Sequence, residues 1–86
     1  MRTFGQRVFA IVREIPLGST LSYKEVAQRV GSPSAFRAVG SVLKTNFNPS
    51  IPCHRVIKSS GEIGNYNRGG TKEKRKILFE EGVLAI

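Results

Sequence analysis

The sequence predicts a mainly α-helical domain with a short β element, a winged-helix-like helix-turn-helix, and three features carry that expectation. Two capping boxes, Thr3 with Gln6 and Ser22 with Glu25, each stand directly before an apolar pattern of helical spacing. Gly31-Ser32-Pro33 separates the second pattern from a third, giving the short turn a helix-turn-helix needs. Outside these helical patterns, Arg55-Val56-Ile57 has the β-branched content of a short strand.

The first helix is expected from about residue 4 to 15. Phe4, Val8, Ile11, Val12 and Ile15 recur on one face, and Pro16-Leu17-Gly18 turns the chain. The second helix follows its capping box with Val26, Ala27 and Val30 and stops at Gly31. Ser32 as N-cap and Pro33 as first residue open a third helix, about 33 to 44, with apolar positions Phe36, Val39, Val42 and Leu43. Its residues 37, 41 and 44 share another face, where Arg37 and Lys44 flank Ser41 among small neighbours. Such a narrow cationic surface can approach a phosphate backbone closely, although an ordinary solvated helix face reads the same way. After an Asn- and Pro-containing loop comes the short strand. Ser59-Ser60-Gly61-Glu62 forms a turn, Ile63 starts a return strand, and a last helix, about 72 to 81, packs through Ile77 and Leu78 before Gly82.

Eighty-six residues hold one modest core, so any activity shares that body. Fourteen Lys and Arg against six Glu give a formal charge of +8, which suits a polyanionic partner. Nucleic acid leads. A membrane surface is the other polyanion, but there is no long apolar stretch and no evident signal peptide. A soluble, cytoplasmic protein is expected, nucleoid-associated or, in a cell with a nucleus, nuclear. One cysteine excludes an internal disulfide, and one Cys with one His cannot complete a structural zinc site, so no metal is expected.

That cysteine and that histidine stand side by side in Pro52-Cys53-His54-Arg55-Val56. A cysteine attacks as its thiolate and needs a neighbouring base or cation to be ready at neutral pH. His54 and Arg55 are placed to help, provided His54 reaches Cys53 through a bend or a bridging water, since neighbours on an extended strand face opposite ways. A lone cysteine is more often a small buried hydrophobe, and a lone histidine more often structural. The whole string decides otherwise.

With Ile51 before it and Ser59-Ser60-Gly61-Glu62-Ile63-Gly64-Asn65-Tyr66 after it, the string closely resembles the active-site segment of the O6-alkylguanine-DNA alkyltransferases, also called methylated-DNA–protein-cysteine methyltransferases. Ser22-Tyr23 and Arg37-Ala38-Val39-Gly40 carry the same likeness independently. It extends over essentially the whole chain and implies a domain of the alkyltransferase C-terminal type. Residues 1–86 then form one catalytic and DNA-binding domain, without the N-terminal domain that many members carry.

The resemblance makes Cys53 the acceptor of an alkyl group from damaged guanine, His54 a base acting through water, and Glu81 the carboxylate orienting His54. Asn46 supports the site. Tyr23 contacts the flipped nucleotide and its phosphate, and Arg37 fills the space that the guanine leaves in the stack. The recognition helix enters the minor groove, with Ser41, Lys44 and Arg55 also expected at the DNA. Val56, Tyr66 and Asn67 line the guanine pocket, and Lys74 lies near it. The implied partner is double-stranded DNA containing O6-alkylguanine, bound by a monomer without metal or organic cofactor.

Three departures accompany the likeness. Asn46 stands seven residues before Cys53, one fewer than the family's asparagine. Asn67 replaces a common serine, and Arg68 intervenes before the glycine pair. That insertion leaves Glu80 as the alternative partner for His54. Two other functions stay open: an alkyltransferase-like protein that binds the lesion without transfer, typically with tryptophan at the cysteine position, and a plain helix-turn-helix DNA-binding module indifferent to alkylation.

Overall fold

The computed structural model describes residues 2–64, 66 and 69–83. Helix α1, Phe4–Arg13, starts at the expected box: the Thr3 hydroxyl accepts from the Gln6 amide and the Gln6 side chain accepts from the Thr3 amide. It buries Val8 and Val12. Pro16 cannot donate a helical hydrogen bond; the helix ends before it, with the amides of Glu14 and Ile15 reaching back only three residues.

Strand β1 is Leu21–Ser22, and Ser22 also caps helix α2, Tyr23–Arg29, through the second box. The helix closes on Gly31, at φ +84°, with Gly31 donating to Gln28 and Ser32 to Ala27, the paired bonds of a Schellman motif. That motif and the turn after it displace the expected start of helix α3. The Ser32 carbonyl accepts from Ala35, so Pro33 lies in a turn, and α3 is Phe36–Leu43 with no side-chain cap. Val39 and Leu43 are buried, but Phe36, expected to pack with them, is 42% exposed and outside the core cluster.

The chain next loops to a 3₁₀ turn, Cys53–Arg55, and strand β2, Val56–Ile57. Arg55 therefore belongs to a tight turn rather than to the strand. The β pairing also differs from the expected hairpin: β2 runs parallel to β1, Leu21 opposite Val56 and Ser22 opposite Ile57, while Ile63 is buried outside any strand. The intervening turn uses its backbone otherwise, Lys58 donating to Glu62 and Gly61 to Lys58. Helix α4, Gly70–Glu80, ends in a second Schellman motif at Gly82, φ +79°.

Helices α1, α2 and α3 pack on one another, and α4 packs on the 3₁₀ turn. Val8, Val12, Val26, Val39 and Val56 are fully enclosed between these elements, and Cys53 belongs to the same cluster. No helix among the described residues is long and apolar enough to cross a membrane.

Candidate active site

The backbone around Cys53 is built by a fixed dihedral and one side-chain amide. Pro52 sits at φ −79°, ψ +66°, an inverse γ-turn, in which the Cys53 amide donates to the Ile51 carbonyl at 2.8 Å. The Asn46 amide donates to that carbonyl at 3.1 Å, and its oxygen accepts from Asn48. Asn46 is 4% exposed. Asn46 thus fastens the loop to the turn that presents the thiol, despite the shortened spacing.

The 3₁₀ turn supplies the bend that His54 needs. Its Nε2 lies 2.9 Å from the Glu81 carboxylate. An ionised carboxylate only accepts, so the ring's proton resides on Nε2 and Nδ1 is the basic nitrogen of the neutral ring. The His54 ring meets Tyr66 edge to face, centroids 6.3 Å apart. Glu81, not Glu80, is the partner: the α4 C-cap turns its side chain inward, whereas Glu80 is exposed.

Glu81 also takes both arms of Arg55, Nε at 3.0 Å and Nη2 at 2.9 Å, while Arg55 Nη1 donates to the Ile15 carbonyl at 2.8 Å. These bonds from Arg55, aided by His54 and opposed by burial, hold the Glu81 carboxyl below the usual carboxylate range. The guanidinium expected at DNA is engaged inside the fold.

Behind the site, Lys74 is 1% exposed and donates to the Val56 carbonyl at 2.6 Å. Its ammonium lies 3.5 Å from the Tyr23 hydroxyl and over the Tyr23 ring. Burial pulls its pKa down to about 8 against the opposing pull of an ionised Cys53. Burial, with the Cys53 charge, also raises the Tyr23 phenol, keeping it a proton donor at neutral pH. Gly64 beside that phenol sits at φ +80°, a backbone conformation that strains any L side chain, whereas a Cβ there would only reach ordinary contact with the hydroxyl at 3.4 Å.

A cavity of about 830 Å³ opens over Cys53, lined by Tyr23, Lys24, Phe36, Arg37, Gly40, Leu43, Lys44, Lys58, Ser59, Ser60 and Tyr66. Its cations come from α2, α3 with its C-cap, and the turn after β2, and among the described residues no acidic side chain lines it. Of the residues expected at the site, Cys53, Tyr23, Arg37, Lys44 and Tyr66 meet at this cavity. Val56 contributes its carbonyl to Lys74 rather than a side chain to the wall, and the Ser41 hydroxyl bonds back to Arg37 of its own helix at 3.2 Å. Asn67, with Asn65 and Arg68, lies outside the described residues. Sequence reasoning overlooked Lys24, Lys58 and Phe36. Lys24 adjoins Tyr23, a usable hint; Phe36 was hidden by an apolar pattern that assigned it to the core. No group of three or more His, Cys, Asp or Glu among the described residues could hold a metal ion.

Residues 3–83 match the family model described as 6-O-methylguanine DNA methyltransferase, DNA binding domain. The chain is 48% identical over 80 residues to the methylated-DNA–protein-cysteine methyltransferase of Methanothermobacter thermautotrophicus, covering 93% of this chain and 44% of that one. With the rat protein of the same description identity is 42% over 79 residues, covering 91% and 38%. The chain therefore spans less than half the length of these relatives. A crystal structure of Mycobacterium tuberculosis OGT in complex with DNA superposes with a TM-score of 0.88 at 42% identity, covering 95% of this chain and 50% of that one. One of S. pombe Atl1 in complex with damaged DNA containing O6-carboxymethylguanine gives 0.83 at 37%, covering 95% and 80%.

Removing Glu81 strands the Arg55 charge, so Glu81→Ala should cost about 3 kcal/mol in urea unfolding, and Glu81→Gln, which keeps an acceptor, less. Because the carboxyl titrates lower folded than unfolded, its contribution is complete above the ordinary carboxylate range and vanishes as pH falls through the lowered value. Glu81→Gln should therefore flatten the acid limb of the stability profile; an unchanged limb would contradict the clamp.

Lys74 has the opposite sign. The unfolded chain retains this proton up to about 10.5 while the folded one releases it near 8, so Lys74 adds stability as pH rises between those values. The stability difference between the unmodified chain and Lys74→Met should shift in the unmodified chain's favour across that window, and a constant difference would refute the lowered pKa.

Proposed function

The chain belongs to the 6-O-methylguanine DNA methyltransferase family through its DNA-binding domain, and on that premise we propose that it repairs double-stranded DNA by moving an alkyl group from O6-alkylguanine to Cys53. The observation that carries this reading is a thiol beneath a cation-lined cavity, next in sequence to a histidine that a carboxylate orients. An 830 Å³ cavity lies within the range of small-ligand pockets and suits a nucleotide rotated out of the duplex, the only way a stacked O6-alkyl group reaches an enclosed thiol.

The chemistry is a displacement at saturated carbon. Nδ1 of His54 accepts the thiol proton through water, and the sulfur forms its bond to the alkyl carbon. The carbon–O6 bond breaks and its electron pair leaves with guanine. A donor near O6 stabilises that leaving group; the protonated Tyr23 phenol on the cavity wall is suited to hydrogen-bond the extruded nucleotide. Water does not readily cleave the resulting thioether, so each molecule reacts once; we take the acting species to be a monomer. Arg37 fills the vacated base position, and Lys24, Lys44 and Lys58 attract the phosphates.

The likeness to Atl1 supports a second reading, lesion binding without transfer; Cys53 favours transfer, because tryptophan is typical at that position among such binders.

Mixed with a duplex holding one O6-methylguanine, the protein should gain the mass of one methyl group, located on Cys53, with one lesion consumed per molecule. Cys53→Ala should bind the lesion duplex without gaining mass. Tight lesion binding by the unmodified chain with no mass change would select the second reading, and repeated turnover would exclude the single-use mechanism.

A further inference from the structure

Four large apolar side chains are well exposed among the described residues: Leu17, Phe36, Phe47 and Phe79. Only Phe36 lines the cavity over Cys53. Its pattern along α3 aligns it with the buried Val39 and Leu43, yet it leaves 42% of its surface open and takes no part in the core cluster. A local rule broken without a packing gain points to use elsewhere.

Position supplies the use. Phe36 is the first residue of α3 and directly precedes Arg37, with which it shares the cavity wall. Gly40 and Lys44 follow at intervals of four, on the same helix face. Ala35, Ala38 and Gly40, its neighbours on the helix, are small. An aromatic ring projecting from a cationic surface has the make-up of an apolar wedge, the kind of side chain that enters a base step from the minor groove and unstacks it.

We propose that Phe36 is a second positioning residue for nucleotide extrusion: its ring wedges against the base step beside the lesion while Arg37 occupies the vacated position. The inference rests on the reading of α3 as the helix that meets damaged duplex DNA. The ring supplies stacking, which is tolerant of sequence because every base offers a face. The guanidinium supplies hydrogen bonds.

The test compares single-turnover methyl transfer from one O6-methylguanine placed in a paired duplex and in a single strand, where little unstacking is required. Phe36→Ala should slow transfer from the duplex about tenfold, the scale of losing one base–aromatic stack, and change the single-strand rate less than about twofold. Its denaturation midpoint should stay unchanged, since the ring is outside the core. Phe36→Trp should keep the duplex rate and, as the sole tryptophan in a chain that otherwise has none, lose fluorescence on binding the lesion duplex. An unchanged duplex rate in Phe36→Ala, or an equal loss on both substrates, overturns the wedge. A quenched Phe36→Trp in a chain that never methylates Cys53 upholds the wedge and overturns transfer instead.

Discussion

The carboxylate of Glu81 is the interaction on which the site depends. Glu81 is the C-cap of α4, and its carboxylate receives the two arms of Arg55 and one nitrogen of His54, and through Arg55 reaches the carbonyl of Ile15 just beyond α1. Three segments distant in sequence are joined at one group. The side chains of Glu81 and Arg55 keep only 12% and 14% of their surface in contact with solvent, so the charges lose hydration, and the bidentate geometry is what offsets that loss. The clamp also fixes which His54 nitrogen can act as a base. Stability and chemistry here share the same atoms.

A similar economy holds at Cys53. Its side chain belongs to the same buried core cluster as Ile51 and Val56 and also borders the cavity. The thiol cannot wander, because Pro52 fixes the turn before it and Asn46 holds the Ile51 carbonyl from the side. Lys74 shows the cost of building so near a core: a buried ammonium, satisfied by the Val56 carbonyl and the Tyr23 hydroxyl, whose proton is loosened by desolvation. A hydrophobic residue at that position would remove the desolvation cost and with it the group that braces Tyr23.

Much of this was legible in the residues. Both capping boxes and the glycine stops at Gly31 and Gly82 are local signals, complete within a few residues, and they appear as read. The β pairing was not legible. A two-residue parallel strand has no period to detect, and Leu21 meets Val56 only because two intervening helices bring them together. Ser32-Pro33 read as a helix start because its chemistry fits one, but the Schellman bonds had already drawn Ser32 into closing α2. At the site, the Cys-His pair was plain, and Glu81 was reached only through likeness. The engagement of Arg55 needed coordinates, since nothing in Arg55 itself tells an internal ion pair from a phosphate contact.

In the proposed mechanism Glu81 sets His54 as a base with its proton on Nε2 and its basic nitrogen at Nδ1. With one histidine in the chain, long-range proton–nitrogen NMR of the ring reads this without ambiguity. At a pH where the ring is neutral, the unmodified protein should show the Nε2–H tautomer. A neutral ring carrying its proton on Nδ1 would contradict it, because the nitrogen assigned to receive the thiol proton would already hold one.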